Sequence, residues 1–391
     1  MASPRRRPLG AGAGDAAAAA VTLAAALVTA AGVGGLEGCD SDKPTSPSAV
    51  VTPPSPPPPP PEPYARPAYT LLSETGLLAD ASGATISAEA APFEPTYRLW
   101  SDGADKRRWF RLPPGTKIDT TDMDHWIFPV GTKLWKEFSL GGVRLETRLV
   151  ERYGLGPEDY WMGAFVWNAE QTDAVLVPDG QNDIAGTPHD APSQEKCGAC
   201  HRGDVGRVLG LSALQLSRAA DPNKIGPTID DLAARNLLTV PPLALAAGSA
   251  APYGIPGDPV TVAALGYLHA NCGHCHNENG TAWPDTQMVL RSVTADHDVA
   301  TDAVYASVVG RKVQYWRGGP SAIMNRVSPG DPAASAIVAR MMTRGSDDAM
   351  PPIATEEIDP VGLTAVSAWI TSLGGAGGAG GATGAAPTAA R

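Results

Sequence analysis

One pentapeptide occurs twice in this chain, as Cys197-Gly198-Ala199-Cys200-His201 and as Cys272-Gly273-His274-Cys275-His276. Both read Cys-x-x-Cys-His, the attachment sequence of c-type haem. The spacing answers a chemical requirement. Two thiols three positions apart reach the two vinyl groups of one porphyrin and form thioethers, and the next residue, His, lies under the iron as its axial ligand. A bare Cys-x-x-Cys also serves redox exchange or half of a zinc site. Zinc, however, would take the four Cys and leave both histidines idle. The expectation is two covalently attached c-type haems (iron), one held by Cys197 and Cys200 over His201, the other by Cys272 and Cys275 over His276.

Haem attachment to this motif takes place on the far side of the inner membrane, and the N-terminus reads accordingly. Arg5-Arg6-Arg7 precedes a small, apolar run from Ala16 to Val33, and Leu36-Glu37-Gly38-Cys39 follows. Residues 1–38 therefore read as a lipoprotein signal peptide, with Cys39 as the lipidation site. Glu37 departs from the small or apolar residue usual there, and an ordinary signal peptide with an incidental Cys is the alternative. Two or more acyl chains on Cys39 would suffice for stable anchoring. The five cysteines support this assignment, since four belong to the pentapeptides and Cys39 has no partner for a disulfide. Residues 39–67 include the run Pro56 to Pro61, a semi-rigid polyproline spacer between anchor and folded part. The expected location is the periplasm or cell envelope, lipid-anchored to a bacterial membrane. A formal net charge of -11 without basic clusters argues against nucleic acid and against docking on anionic lipid. Redox protein partners of opposite charge suit it better.

Residues 68–190 have a different composition, with six of the nine tryptophans: Trp100, Trp109, Trp126, Trp135, Trp161 and Trp167. Strand-like runs fall at Arg108 to Leu112, His125 to Phe128, Lys133 to Phe138, Val143 to Val150, Trp161 to Trp167 and Ala174 to Val177. Turn signals such as Pro113-Pro114-Gly115, Pro129-Val130-Gly131 and Gly141-Gly142 separate them. This predicts a β-sandwich or small barrel. The segment carries no nucleophile motif and no metal cluster, so no catalytic residue is assigned. Asp122, Asp124 and His125 read as an Asp-rich turn before they read as a metal site. The aromatics read mostly as core, with a surface cluster that binds a saccharide or small molecule as the alternative.

The remainder divides into a first haem-binding segment (191–258), a second helical haem domain (259–374) and a low-complexity tail (375–391). Val262, Leu265 and Leu268 form an apolar helical face entering the second motif, and Val361 to Leu373 is a closing helix ending at Gly374-Gly375. Met350, in the Pro-stiffened stretch Met350-Pro351-Pro352, is the expected sixth ligand of the second haem, and thioether ligation raises a haem's potential. Met341 and Met342 fall on a predicted helix and read as core. No Met lies between Met162 and Met288, so the first haem lacks a methionine nearby in sequence, and His189 is its candidate sixth ligand. His274 is expected to face outward and His269 to pack or pair with a propionate.

Several stretches resemble a family of little-characterised bacterial dihaem c-type cytochrome lipoproteins with a β-rich N-terminal domain. They are Leu99 to Ala104, Leu112 to Ile118, Phe128 to Phe138, Glu146-Thr147-Arg148, Val166 to Asn168 with Gln171 to Ala174, His189 to His201, Arg207 to Gly210 and Tyr267 to His276. The second module is also similar to class I cytochromes, with Ala264 and Leu268 where those proteins cross their terminal helices. The resemblance implies two haems, electron transfer and a His at position 189. It names no substrate. The expected molecule is thus multidomain, a β-rich N-terminal domain followed by a mainly α, cytochrome c-like dihaem region that passes electrons between redox partners. The alternatives are a dihaem peroxidase or oxidase with one open haem, or a ligand-binding module with an electron outlet.

Overall fold

Alternation of side chains in the Trp-rich segment produces an antiparallel meander. In the computed structural model, which describes residues 65–218, 223–244, 251–295, 298–314 and 323–375, the strands are β1 (Ala91–Pro92), β2 (Asp105–Arg111), β3 (Lys133–Leu140), β4 (Val143–Arg152), β5 (Tyr160–Trp167) and β6 (Ala174–Leu176). They pair in chain order into one six-stranded sheet. Gly141 and Gly142 join β3 to β4 with φ of 57° and 82°, the positive values that a two-residue hairpin turn requires. The β-rich front segment is as expected, but its second layer is not a second sheet among the described residues. His125 to Phe128 forms no strand. Only a bridge between Asp119 and Ile127 remains there, and Pro129, which has no N–H to give a ladder, follows at once.

The two faces of the sheet do different work. On one, Trp109, Trp135 and Leu149 stand in register and pack with Leu72, Leu77, Trp161, Phe165 and Trp167. Trp135 Nε1 donates to Thr75 Oγ1 and Trp167 Nε1 to Thr147 Oγ1, both at 3.0 Å, so these indoles are buried without an orphaned donor. On the other face, Phe110, Leu134, Val150 and Met162 form one row and Arg108, Lys136, Arg148 and Ala164 the next. The half that carries the two pentapeptides covers this second face, which is why no second sheet is needed.

That half contributes α1 (Gln194–His201), α2 (Ala213–Leu216), α3 (Ile229–Ala234), α4 (Pro259–Asn271), α5 (Trp283–Thr286), α6 (Ala303–Val308), α7 (Ala336–Met341) and α8 (Pro360–Gly375). Asp258 caps α4 by accepting from the N–H groups of Val260 and Thr261 at 2.9 Å, with Pro259 at the first helical position. The described residues form one compact unit. Its largest core cluster joins Phe93, Phe110, Phe128 and Leu134 of the front segment to Leu211, Leu232, Leu265, Leu268, Val366 and Trp369. The front segment and the half that carries the pentapeptides therefore share one apolar interior. The signal peptide (1–38), Cys39, the spacer as far as residue 64 and the tail from residue 376 lie outside the described residues.

Candidate cofactor site

The first pentapeptide lies at the C-terminal end of α1, which packs against β5. One helical turn brings Cys197, Cys200 and His201 together. His201 Nδ1 lies 2.6 Å from the Arg207 carbonyl oxygen, so it carries the proton and donates it there, while Nε2 makes no hydrogen bond among the described residues. That is the tautomer a metal ligand needs. Burial, with Lys136 and Arg148 adding their charge, pushes the imidazole down to about 4 and keeps it neutral near pH 7.

The second pentapeptide follows α4, and Cys272 is the residue that ends the helix. His276 Nδ1 lies 3.5 Å from Thr286 Oγ1, and again Nε2 is uncommitted among the described residues. Burial, then Arg326 and Arg340, lowers this imidazole to about 4. Ala264 and Leu268 are fully buried on α4, which packs against α8. Gly362 makes a close approach between the two helices, where a Cβ would stand 2.1 Å from the Tyr267 ring. Asp359 caps α8 through the N–H groups of Val361 and Gly362 at 2.9 and 3.0 Å.

The two pentapeptides interlock. Cys275 Sγ and Thr281 Oγ1 both reach the Ala199 carbonyl oxygen, at 3.4 and 3.0 Å. Gly203 admits the His274 carbonyl so closely that a Cβ there would lie 1.8 Å from its oxygen. Asn277 Nδ2 donates to the carbonyls of Gly273 and His274, and Arg291 forms a 2.8 Å ion pair with Asp204 in the loop after the first motif. The Cys275 thiol bonds to Cys200 and, with Lys136 and Arg148, lowers the Cys200 thiol to about 7. Burial raises Cys197 to about 11 and Cys272 to about 12.

The candidate axial ligands are placed as follows. His189 is 2 % exposed, with Nε2 2.8 Å from Glu146 Oε2 and its ring 4.8 Å from that of Phe138. Met350 lies between α7 and α8, its N–H donating to the carbonyl of Arg340, one of the cations that bear on His276. Met341 is core, while Met342 and Met324 are exposed. His274 does not face outward. Its Nε2 is buried without a partner in the seam between the motifs, and burial lowers the ring to about 3. His269 packs edge-on against Tyr97 with Nδ1 buried and unpaired. Asp124 accepts from the N–H and the hydroxyl of Thr294.

Two features were not read from the sequence. Met162 of β5 lines a cavity of about 240 Å³ together with Cys197, His201, Tyr160 and Gln194. The row Arg108–Lys136–Arg148 borders His201 from the sheet. Burial, then the neighbouring Arg108, Arg148 and Lys106, holds the Lys136 ammonium well below its usual range. Alternation alone sets Met162 and Lys136 opposite the tryptophans, but it does not say which face meets the motif.

The donor set can be tested against the implied cofactor. No group of three or more His, Cys, Asp or Glu side chains converges to hold a metal ion among the described residues, so the four thiols do not form a zinc polyhedron. A haem iron asks for less, one neutral imidazole per site and at most one ligand opposite. The uncommitted Nε2 atoms and the orphaned His274 Nε2 suit such a group. No protein-family model, curated protein or solved structure matches the chain.

Proposed function

We propose that this chain is a dihaem c-type cytochrome, of the kind it resembles in sequence, exported, lipid-anchored at Cys39 and passing electrons between redox protein partners in the cell envelope. The observation that carries the reading is the pairing of two Cys-x-x-Cys-His segments, each with a neutral histidine whose Nδ1 is engaged and whose Nε2 is free, locked against each other through Ala199, Gly203 and His274. A haem iron, when bound, supplies the one-electron couple. Cys197 and Cys200, and Cys272 and Cys275, hold the two groups. The Arg207 carbonyl fixes the His201 proton on Nδ1 and would leave Nε2 available to a metal; Thr286 Oγ1, at 3.5 Å, is the longer partner of His276 Nδ1. The Ala199–Cys275 contact keeps the two attachment points adjacent. Among the described residues no helix is long and apolar enough to cross a membrane.

Met350 is the proposed sixth ligand of the second haem. For the first haem, His189 is the ligand proposed from sequence, and the cavity adds Met162 as its competitor, because His189 Nε2 is already bonded to Glu146. The same observation favours the second reading, an enzyme with its first haem open. Electron paramagnetic resonance of the oxidised, matured protein separates them. Two low-spin ferric signals support electron transfer, and Met162→Ala or His189→Ala then identifies the ligand by turning one of them high-spin. A high-spin signal in the parent protein moves the peroxidase or oxidase reading ahead. Loss of palmitate labelling in Cys39→Ser supports the anchor; labelling absent from the parent chain rejects it.

A further inference from the structure

The sheet register places like charges opposite one another on the face that meets the first motif. Arg108 stands across from Lys136 on β2 and β3, and Lys136 across from Arg148 on β3 and β4. Direct neighbours of this kind have Cβ atoms roughly 4.5–5.5 Å apart, and equal charges there oppose pairing. Lys106, on the same face, adds a fourth cation. Its ammonium lies 5.8 Å from the Phe138 ring, with that of Lys136 at 5.7 Å and the Arg148 guanidinium at 4.5 Å from the same ring.

Few direct partners neutralise them. Glu146 is fully buried on this face, but Arg148 engages both its oxygens and His189 bonds to one. Lys106 Nζ donates to the Ala104 carbonyl, and Asp102 and Asp105 act on it at longer range, as Glu94 does on Arg108. Lys136 Nζ and the Arg108 guanidinium have no hydrogen bond or ion pair among the described residues, although Arg108 is 7 % exposed. Keeping Arg108 and Lys136 charged side by side is unfavourable, and a bound anion would offset that cost. Beside them is a cavity of about 40 Å³ lined by Arg108, Lys136, Arg148, His201 and Val208. It has room for a carboxylate-sized group and none for a porphyrin.

We infer that the row Arg108–Lys136–Arg148 is a binding site for an oxyanion held next to the axial histidine of the first motif, an inference that rests on the haem reading for its setting. The shared chemistry is a carboxylate-like group accepting from guanidinium and ammonium donors. It has two sources, a propionate of the haem carried at Cys197 and Cys200, or a diffusible oxyanion.

The test uses the full matured chain, its haem content first established by intact mass. Lys136→Met and Arg108→Gln are compared with the parent and with Lys117→Gln, an exposed cation elsewhere. Resonance Raman bands of the haem propionates and the midpoint potentials of both haems are read with and without acetate and phosphate. A propionate in the row predicts shifted propionate bands and one lowered midpoint in the two variants, with the second haem unmoved and no response to added anion. A diffusible oxyanion predicts a saturable change at one haem in the parent, at least tenfold weaker in the variants. Either outcome supports the site. Variants that leave bands, midpoint and anion response as in the parent overturn it. A first motif without haem would fail the haem reading instead. Protection of the chain against thermal unfolding by acetate or phosphate, lost in Lys136→Met, would then still support the row, and its absence would overturn it.

Discussion

Glu146 is the side chain on which most of the chemistry beside the first motif converges. Its carboxylate is fully buried, binds Arg148 through both oxygens and holds His189 at 2.8 Å. Burial alone would raise this carboxyl. Arg148 and the His189 hydrogen bond outweigh it, and the net effect is a folded-state value below the usual carboxylate range. A lowered carboxylate stabilises the fold fully above its unfolded value, about 4.3, and that contribution is lost as the pH falls through the folded value. Glu146→Gln leaves Arg148 and His189 facing a neutral amide. The expected cost is about 3–5 kcal/mol at pH 7 by denaturant titration, with a shallower loss of stability in acid than the parent shows. The variant also replaces the carboxylate partner of His189 Nε2 by an amide; under the haem reading, a spectral change at the first motif that His189→Ala abolishes would identify that histidine as a ligand.

Among the elements, the crossing of α4 and α8 is the clearest point of failure. Gly362→Ala would place a methyl against the Tyr267 ring, and separation of the helices is expected to cost about 1–3 kcal/mol in denaturant titration. The elements themselves were largely legible. Val262, Leu265 and Leu268 mark α4 by period, the runs at 133–138, 143–150 and 161–167 mark three strands by alternation, and Gly141-Gly142 marks their hairpin. What the sequence hides is who meets whom. Ala264 and Leu268 are small and large apolar residues in a plausible order, yet a close contact of α4 with α8 falls to Gly362, ninety-odd residues further on, which no local pattern reveals. Likewise alternation sorts Met162, Lys136 and Arg148 onto one face, but only the docking of α1 turns that face into part of the site. The run at His125 reads as a strand by composition and is overruled by Pro129 and by the bonds from Thr294 to Asp124.

For the whole molecule, the shared interior has a consequence for how it can be divided. Phe93, Phe110, Phe128 and Leu134 bury against the half that carries the pentapeptides, so residues 68–190 alone would expose an apolar face. That fragment is expected to aggregate or to lack a cooperative unfolding transition by calorimetry, whereas residues 65–375 with both motifs should melt as one unit. A sandwich closed on itself would have survived the cut.

The central claim is that both pentapeptides carry covalent haem. Intact mass spectrometry of the chain matured in cells with c-haem machinery tests it most directly. The account predicts an addition of two haems, reduced to one in Cys272→Ala/Cys275→Ala and to one in Cys197→Ala/Cys200→Ala. A mature chain with no covalent addition, or one that holds zinc through its thiols, would contradict it.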